Sequence, residues 1–192
     1  MKKIFISVVL LCAAWLDASA QNVSGNCYRG FVDAGYDVGI GYFEMSHFSI
    51  TTSHGYQFNP YIFLGAGTAF HFMKGYKTPG MNIALDERES KVDIPVFANA
   101  RVNFMKKKVT PFIDGKVGTY VTNNGGMYWN LSAGCRIATN QKQAVNISVG
   151  YASEKLEFQT VDRFEVGYSM NYIREPRVQL SECVTVRVGY EF

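Results

Sequence analysis

Residues 179–192 read QLSECVTVRVGYEF and alternate from end to end. Leu180, Glu182, Val184, Val186, Val188, Tyr190 and Phe192 form one set, apolar at six of seven positions. Gln179, Ser181, Cys183, Thr185, Arg187, Gly189 and Glu191 form the other, with two formal charges and almost nothing apolar. A strand sends successive side chains to opposite faces, so this period of 2 describes a strand with one greasy face and one wet face. It finishes on an aromatic, Phe192, with Tyr190 on the same face.

The same alternation recurs upstream. In residues 27–38, Tyr28, Val32, Ala34 and Tyr36 alternate with Arg29, Phe31, Asp33 and Asp37. Strands follow at 44–55, 61–73, 92–105, 109–122, 127–139 and 144–156, so that 179–192 is the eighth. The fourth is the cleanest: Val92, Ile94, Val96, Ala98, Ala100, Val102 and Phe104 lie opposite Asp93, Asn99, Arg101 and Asn103. Pro95 removes a ladder hydrogen bond there, which fits a strand start or a bulge. Residues 39–43, 74–91, 123–126 and 157–178 connect strands at one end; 56–60, 106–108 and 140–143 connect them at the other. The first set holds both long connections, and Asn123-Asn124-Gly125-Gly126 is a hairpin signal. Residues 157–178 read either as a loop or as extensions of the last two strands.

Lys2 and Lys3, the apolar run 4–16 and Ala18-Ser19-Ala20 describe a secretory signal peptide cleaved after Ala20, with Ala18 and Ala20 as the cleavage-site residues. Cys12 follows Leu11 rather than a small residue and so is read as part of the apolar run, not a lipid acceptor. Residues 21–192 then form one domain. Removing Lys2, Lys3 and Asp17 takes the formal charge from +3 to +2, too little to argue for nucleic acid. Cys27, Cys135 and Cys183 are odd in number and suit no closed disulfide framework; Cys135 is expected to face out and the other two in. Residues 45–73 carry no Asp, Glu, Lys or Arg but are too polar for a transmembrane helix.

Alternation alone does not say which face is inside. A lipocalin-like barrel buries the apolar face around a greasy ligand; a membrane barrel does the reverse. The polar face carries Arg29, Arg101, Lys116, Arg136 and Arg187 against Asp33, Asp37, Asp93, Asp114, Glu154 and Glu191. Burial of charges requires pairing, and a near-balanced set suits a closed lumen filled by side chains. With an apolar face continuous over the last five strands and aromatics at 15%, the expected fold is all-β. It is an eight-stranded antiparallel up-and-down transmembrane β-barrel.

CYRGFVDAGY (27–36), TSHGYQFNPYIFLGAG (52–67), KKVTPFIDGKVG (107–118) and VTVRVGYEF (184–192) together resemble the small outer-membrane β-barrel proteins of Bacteroides-type bacteria. The likeness to enterobacterial eight-stranded barrels is one of architecture. The resemblance implies an integral protein of the Gram-negative outer membrane. It also implies that Val186, Val188, Tyr190 and Phe192 form the aromatic-ended signal read by the outer-membrane assembly machinery. Outer-membrane lipids and lipopolysaccharide are its expected surroundings, and a monomer its expected state. The resemblance supplies no settled activity.

Enzyme chemistry and cofactors are not expected. There is no GxSxG, and Gly65-Ala66-Gly67 lacks the lysine and helix of a phosphate loop. His47, His54 and His71 fall on different strands or faces without ligand spacing, so no metal is expected either. The inner acids read as structural ion pairs rather than an acid–base couple. The leading function is a structural or surface-interaction barrel without catalysis. A narrow pore for small polar solutes is the alternative, and a secreted lipocalin-like lipid carrier the second.

Overall fold

The computed structural model describes residues 27–77, 86–122, 126–139, 143–166 and 169–192, with side chains throughout these except in 162–174. The expected signal peptide with Ala18 and Ala20, residues 123–125 of the expected hairpin connection and most of the expected 140–143 turn lie outside the described residues. The strands are β1 (Cys27–Ile40), β2 (His47–Gln57), β3 (Ile62–Met73), β4 (Tyr76–Lys77), β5 (Asp86–Arg88), β6 (Lys91–Asp93), β7 (Pro95–Asn103), β8 (Val109–Tyr120), β9 (Met127–Ala138), β10 (Ala144–Val166) and β11 (Ser169–Glu191).

Each long strand pairs antiparallel with its chain neighbour, and β11 pairs back with β1 from Phe31↔Glu191 to Ile40↔Glu182. The sheet therefore closes, with β6 and β7 making one of eight staves. Closure removes the sheet edges within the staves, which is what a backbone in lipid requires. Ile94 interrupts the fourth stave, yet β6 and β7 keep one register on β3, through His71↔Asp93 and Thr68↔Val96. Pro95 thus opens a strand segment without a bulge.

The apolar set faces out on every stave. Tyr28, Tyr56, Tyr190 and Phe192 stand exposed at the short-turn end, and Tyr36, Phe48 and Phe72 at the other. Tyr28 and Tyr36 are eight residues apart, about 20 Å along the membrane normal once strand tilt is included. Between them the surface is mainly Val, Ile, Leu, Ala and Phe, interrupted on β2 by Thr52 and His54. A lipocalin would have these faces reversed.

The short-turn end is tied by side chains: Asn59 Oδ1 accepts from the amides of Tyr61 and Ile62 at 2.8 and 2.9 Å, an Asx-type turn. At the other end Gly41, at φ 85°, turns the chain between β1 and β2 in a conformation costly for any residue with a Cβ.

Residues 157–166 and 169–178 are strand extension. β10 pairs with β9 only over Ala144–Glu154, and β11 with β1 only over Glu182–Glu191. Beyond that the two pair with each other up to Val166↔Ser169, and β5 adds Gln159↔Glu87 and Thr160↔Asp86. A transmembrane strand needs about 9–11 residues, so roughly half of each 23-residue strand projects beyond the barrel. The 74–91 connection, read as a charged loop, instead contributes two short strands, β4 and β5, and sends Arg88 inside, where it is 4% exposed.

Candidate functional site

The lumen is filled in layers. At the short-turn end Glu191 accepts two hydrogen bonds from Arg136, at 2.7 and 2.9 Å, and pairs with Arg29 at 3.3 Å. These three come from β11, β9 and β1, so the cluster ties the seam of the barrel to the stave two places beyond β11.

In the next layer Asp114 takes Arg101 Nε at 3.0 Å, Lys116 Nζ and the Asn99 amide at 2.9 Å. The Arg101 guanidinium lies between two phenyl rings, 4.1 Å from the Phe31 centroid and 4.3 Å from that of Phe112. A cation held against two ring faces gains quadrupole attraction on both sides, and more so away from water. Above it Arg187 reaches Asp37 at 3.3 Å and Asn130 Oδ1 at 3.4 Å. Further up, Phe43, Met45, Met73, Leu156 and Phe158 form an apolar cluster inside the lumen, with Tyr76 packed against it. Phe43 stands 4.8 Å from Phe158 and 5.7 Å from Tyr76, centroid to centroid.

All eleven charges assigned to the inner face are buried. The five bases meet Glu191, Asp114 and Asp37. Asp93 is taken by Arg88, from the long connection, which also donates Nε to the Glu157 carbonyl at 3.1 Å. Asp33 has no ion-pair partner among the described residues; its carboxylate fills the space over Gly189, where a Cβ would stand 1.8 Å from Asp33 Oδ1. Glu154 meets histidines instead: His71 Nδ1 at 3.5 Å and His47 Nε2 at 3.7 Å.

His47 and His71 were expected on different strands or faces. They stand on adjacent strands and the same face, with ring centroids 4.7 Å apart. Strand parity alone places both inward; what it omits is height, because β2 begins at His47 while β3 reaches His71 near its end. His54 faces out, between Tyr28 Oη at 2.6 Å and Thr52 Oγ1 at 2.9 Å. Cys183 is buried, Cys27 and Cys135 are half-buried, and none of the three is in a disulfide.

The fold and its filled interior define a membrane-spanning β-barrel of eight staves with a plugged lumen. No protein-family model matches the chain, and no curated protein does. Among solved structures the chain is similar to Neisserial surface protein A, at 14% identity and a TM-score of 0.55, over 88% of this chain and 98% of that one. A de novo designed transmembrane β-barrel aligns over 91% of this chain and 100% of that one, at 12% identity and a TM-score of 0.47. The outer membrane protein AlkL, solved by solid-state NMR in DMPC bilayers, aligns over 91% and 94%, at 10% and 0.44.

Proposed function

We propose that the chain is an integral protein of a Gram-negative outer membrane with a structural or surface-interaction role, neither conducting nor catalytic. The observation that carries this is Arg101, which pairs with Asp114 on the neighbouring strand and reaches across the lumen to the Phe31 ring on β1, with Phe112 on its other side. Eight staves leave an interior only just wide enough for side chains, and this layer spans it. The aromatic cluster of Phe43, Tyr76 and Phe158 closes a second cross-section.

The surface role rests on the β10–β11 hairpin, which leaves Glu175, Pro176, Arg177 and Val178 exposed beyond the staves. It is the part of the molecule placed to meet envelope components or another cell. In this reading lipids and lipopolysaccharide surround a single copy of the barrel. Val186, Val188, Tyr190 and Phe192, all on the lipid face, serve the assembly machinery as the recognised strand, and the relationship to Bacteroides-type barrels belongs to the same reading.

Two measurements test it. Outer-membrane fractions run by SDS gel, unboiled and boiled, are expected to hold the protein and show a heat-dependent mobility shift. Planar-bilayer recording of the purified barrel is expected to give no stepwise current. A steady conductance from the unsubstituted protein, rising further in Arg101→Ala plus Arg136→Ala, would establish a pore and overturn the proposal.

A further inference from the structure

Beneath the aromatic cluster, four strands bring metal-type donors to one point. His47 opens β2, Glu154 lies on β10, Cys183 on β11 and Asp37 on β1. One donor atom each from His47, Glu154 and Cys183 falls within 4.8 Å of the others, and all three side chains are buried. Asp37 Oδ2 stands 3.3 Å from His47 Nε2, with the other Asp37 oxygen held by Arg187 at 3.3 Å.

A histidine–carboxylate ion-pair cluster is the plain alternative, and the distances argue against it. Charge-assisted N–H···O contacts close to about 2.7–2.9 Å, whereas these lie at 3.3 and 3.7 Å. His47 Nε2 has no hydrogen-bond partner, and the Glu154 carboxylate is met by Tyr120 and, at 3.5 Å, by His71 Nδ1, without a cation closing on it. A buried carboxylate held this loosely is costly. The spacings of His47 Nε2 to Asp37 and Glu154 are instead those of ligand atoms around a common centre. Tetrahedral zinc, with bonds of about 2.0–2.3 Å, separates its ligands by about 3.3–3.8 Å.

The second shell agrees. His47 Nδ1–H donates to the Met45 carbonyl at 3.3 Å, which leaves the Nε2 lone pair for a metal and fixes the tautomer. Cys183 Sγ lies 3.6 Å from the same carbonyl. On metal binding its thiol proton leaves to solvent and the sulfur binds as thiolate. Thiolate and the Glu154 carboxylate then carry two negative charges, the complement of a divalent ion.

We propose that His47, Glu154 and Cys183 form a binding site for a borderline divalent transition-metal ion of the zinc class, with Asp37 placed as fourth donor. Mixed nitrogen, oxygen and sulfur donors suit zinc or cobalt(II) and do not suit magnesium or calcium. Sealed between the aromatic cluster and Arg187, the site is structural: the ion bridges staves otherwise joined by their ladders.

Cobalt(II) tests it, because thiolate ligation gives a charge-transfer absorption that oxygen and nitrogen sites lack. Full-length protein carrying Cys27→Ser and Cys135→Ser is purified in detergent, unfolded, and refolded with Co2+. The expected result is one Co2+ per chain with that absorption, lost on adding Cys183→Ser and lost or moved in His47→Gln and Glu154→Gln. Absence of the absorption from protein that shows the heat-dependent gel shift would overturn the site, as would its survival in folded Cys183→Ser. Should Cys183→Ser fail to fold, His47→Gln and Glu154→Gln decide in the same way. The gel shift is read separately, so failure of the site leaves the barrel reading standing.

Discussion

Gly30 and Phe192 exchange both of their backbone hydrogen bonds, each at 2.9 Å, and the phenyl ring of Phe192 covers Gly30. A Cβ on Gly30 would stand 2.5 Å from Phe192 Cζ, so the glycine makes the place where the ring lies. Deleting Phe192 removes both seam bonds, at about 0.5–1.5 kcal/mol each. The temperature of the gel-mobility shift is expected to fall for that deletion. Gly30→Leu, which expels the ring but keeps the bonds, should lower it by less. Equal effects would mean that the ring, not the ladder, carries the contact.

Asp114 is the acid on which the central layer converges. Asp114→Ala strands Arg101 and Lys116 with no carboxylate, and loss of one partner from a buried pair costs about 3–5 kcal/mol. Asp33→Ala removes a buried acid that has no ion-pair partner among the described residues and should cost far less. Urea unfolding in lipid vesicles, followed by tryptophan fluorescence, is expected to rank them in that order.

The lipid face is testable by depth. Ile147, 47% exposed, sits midway along the membrane part of β10, whereas Val178, 52% exposed, lies on the projecting hairpin. Ile147→Lys is expected to cost about 2–4 kcal/mol, as for a lysine at the bilayer midplane, and Val178→Lys close to nothing. The same unfolding measurement separates them despite their equal exposure.

The hairpin is separable from the barrel. Gln159 pairs with Pro176, so residues 160–175 can be replaced by an Asn-Gly turn that matches the strand twist. The shortened protein is expected to keep its gel shift and its unfolding midpoint, because Phe158 and the Arg88–Glu157 contact remain. Binding to a surface partner should be weakened, since Glu175 and the outer part of the hairpin go while Pro176, Arg177 and Val178 remain. A barrel that no longer folds would show the extension to be part of the core.

The staves and the inward direction of the charges were legible in the sequence because lumen and lipid impose opposite preferences on adjacent residues. Two kinds of feature were not. Arg88, Phe43 and Tyr76 enter the lumen from connections, which have no period to read. The meeting of His47, His71, Glu154 and Cys183 depends on the stagger between strands: parity fixes the face but not the height. The length of the final hairpin stayed open for a related reason, since a strand paired beyond the membrane no longer needs the lipid-facing alternation.

The seam between β1 and β11 has a kinetic consequence. Phe31 finds Glu191 and Tyr36 finds Val186 across almost the whole chain, the longest-range pairing in the molecule. Such contacts are slow to form, because the entropy of loop closure is lost before any bond repays it. Until they form, two long edges stand open and prone to join other chains. Once they have formed, no stave can leave without tearing a ladder on each side. The barrel should therefore persist by slow unfolding more than by a deep equilibrium minimum, and its lifetime in harsh surroundings should outlast what its free energy alone suggests.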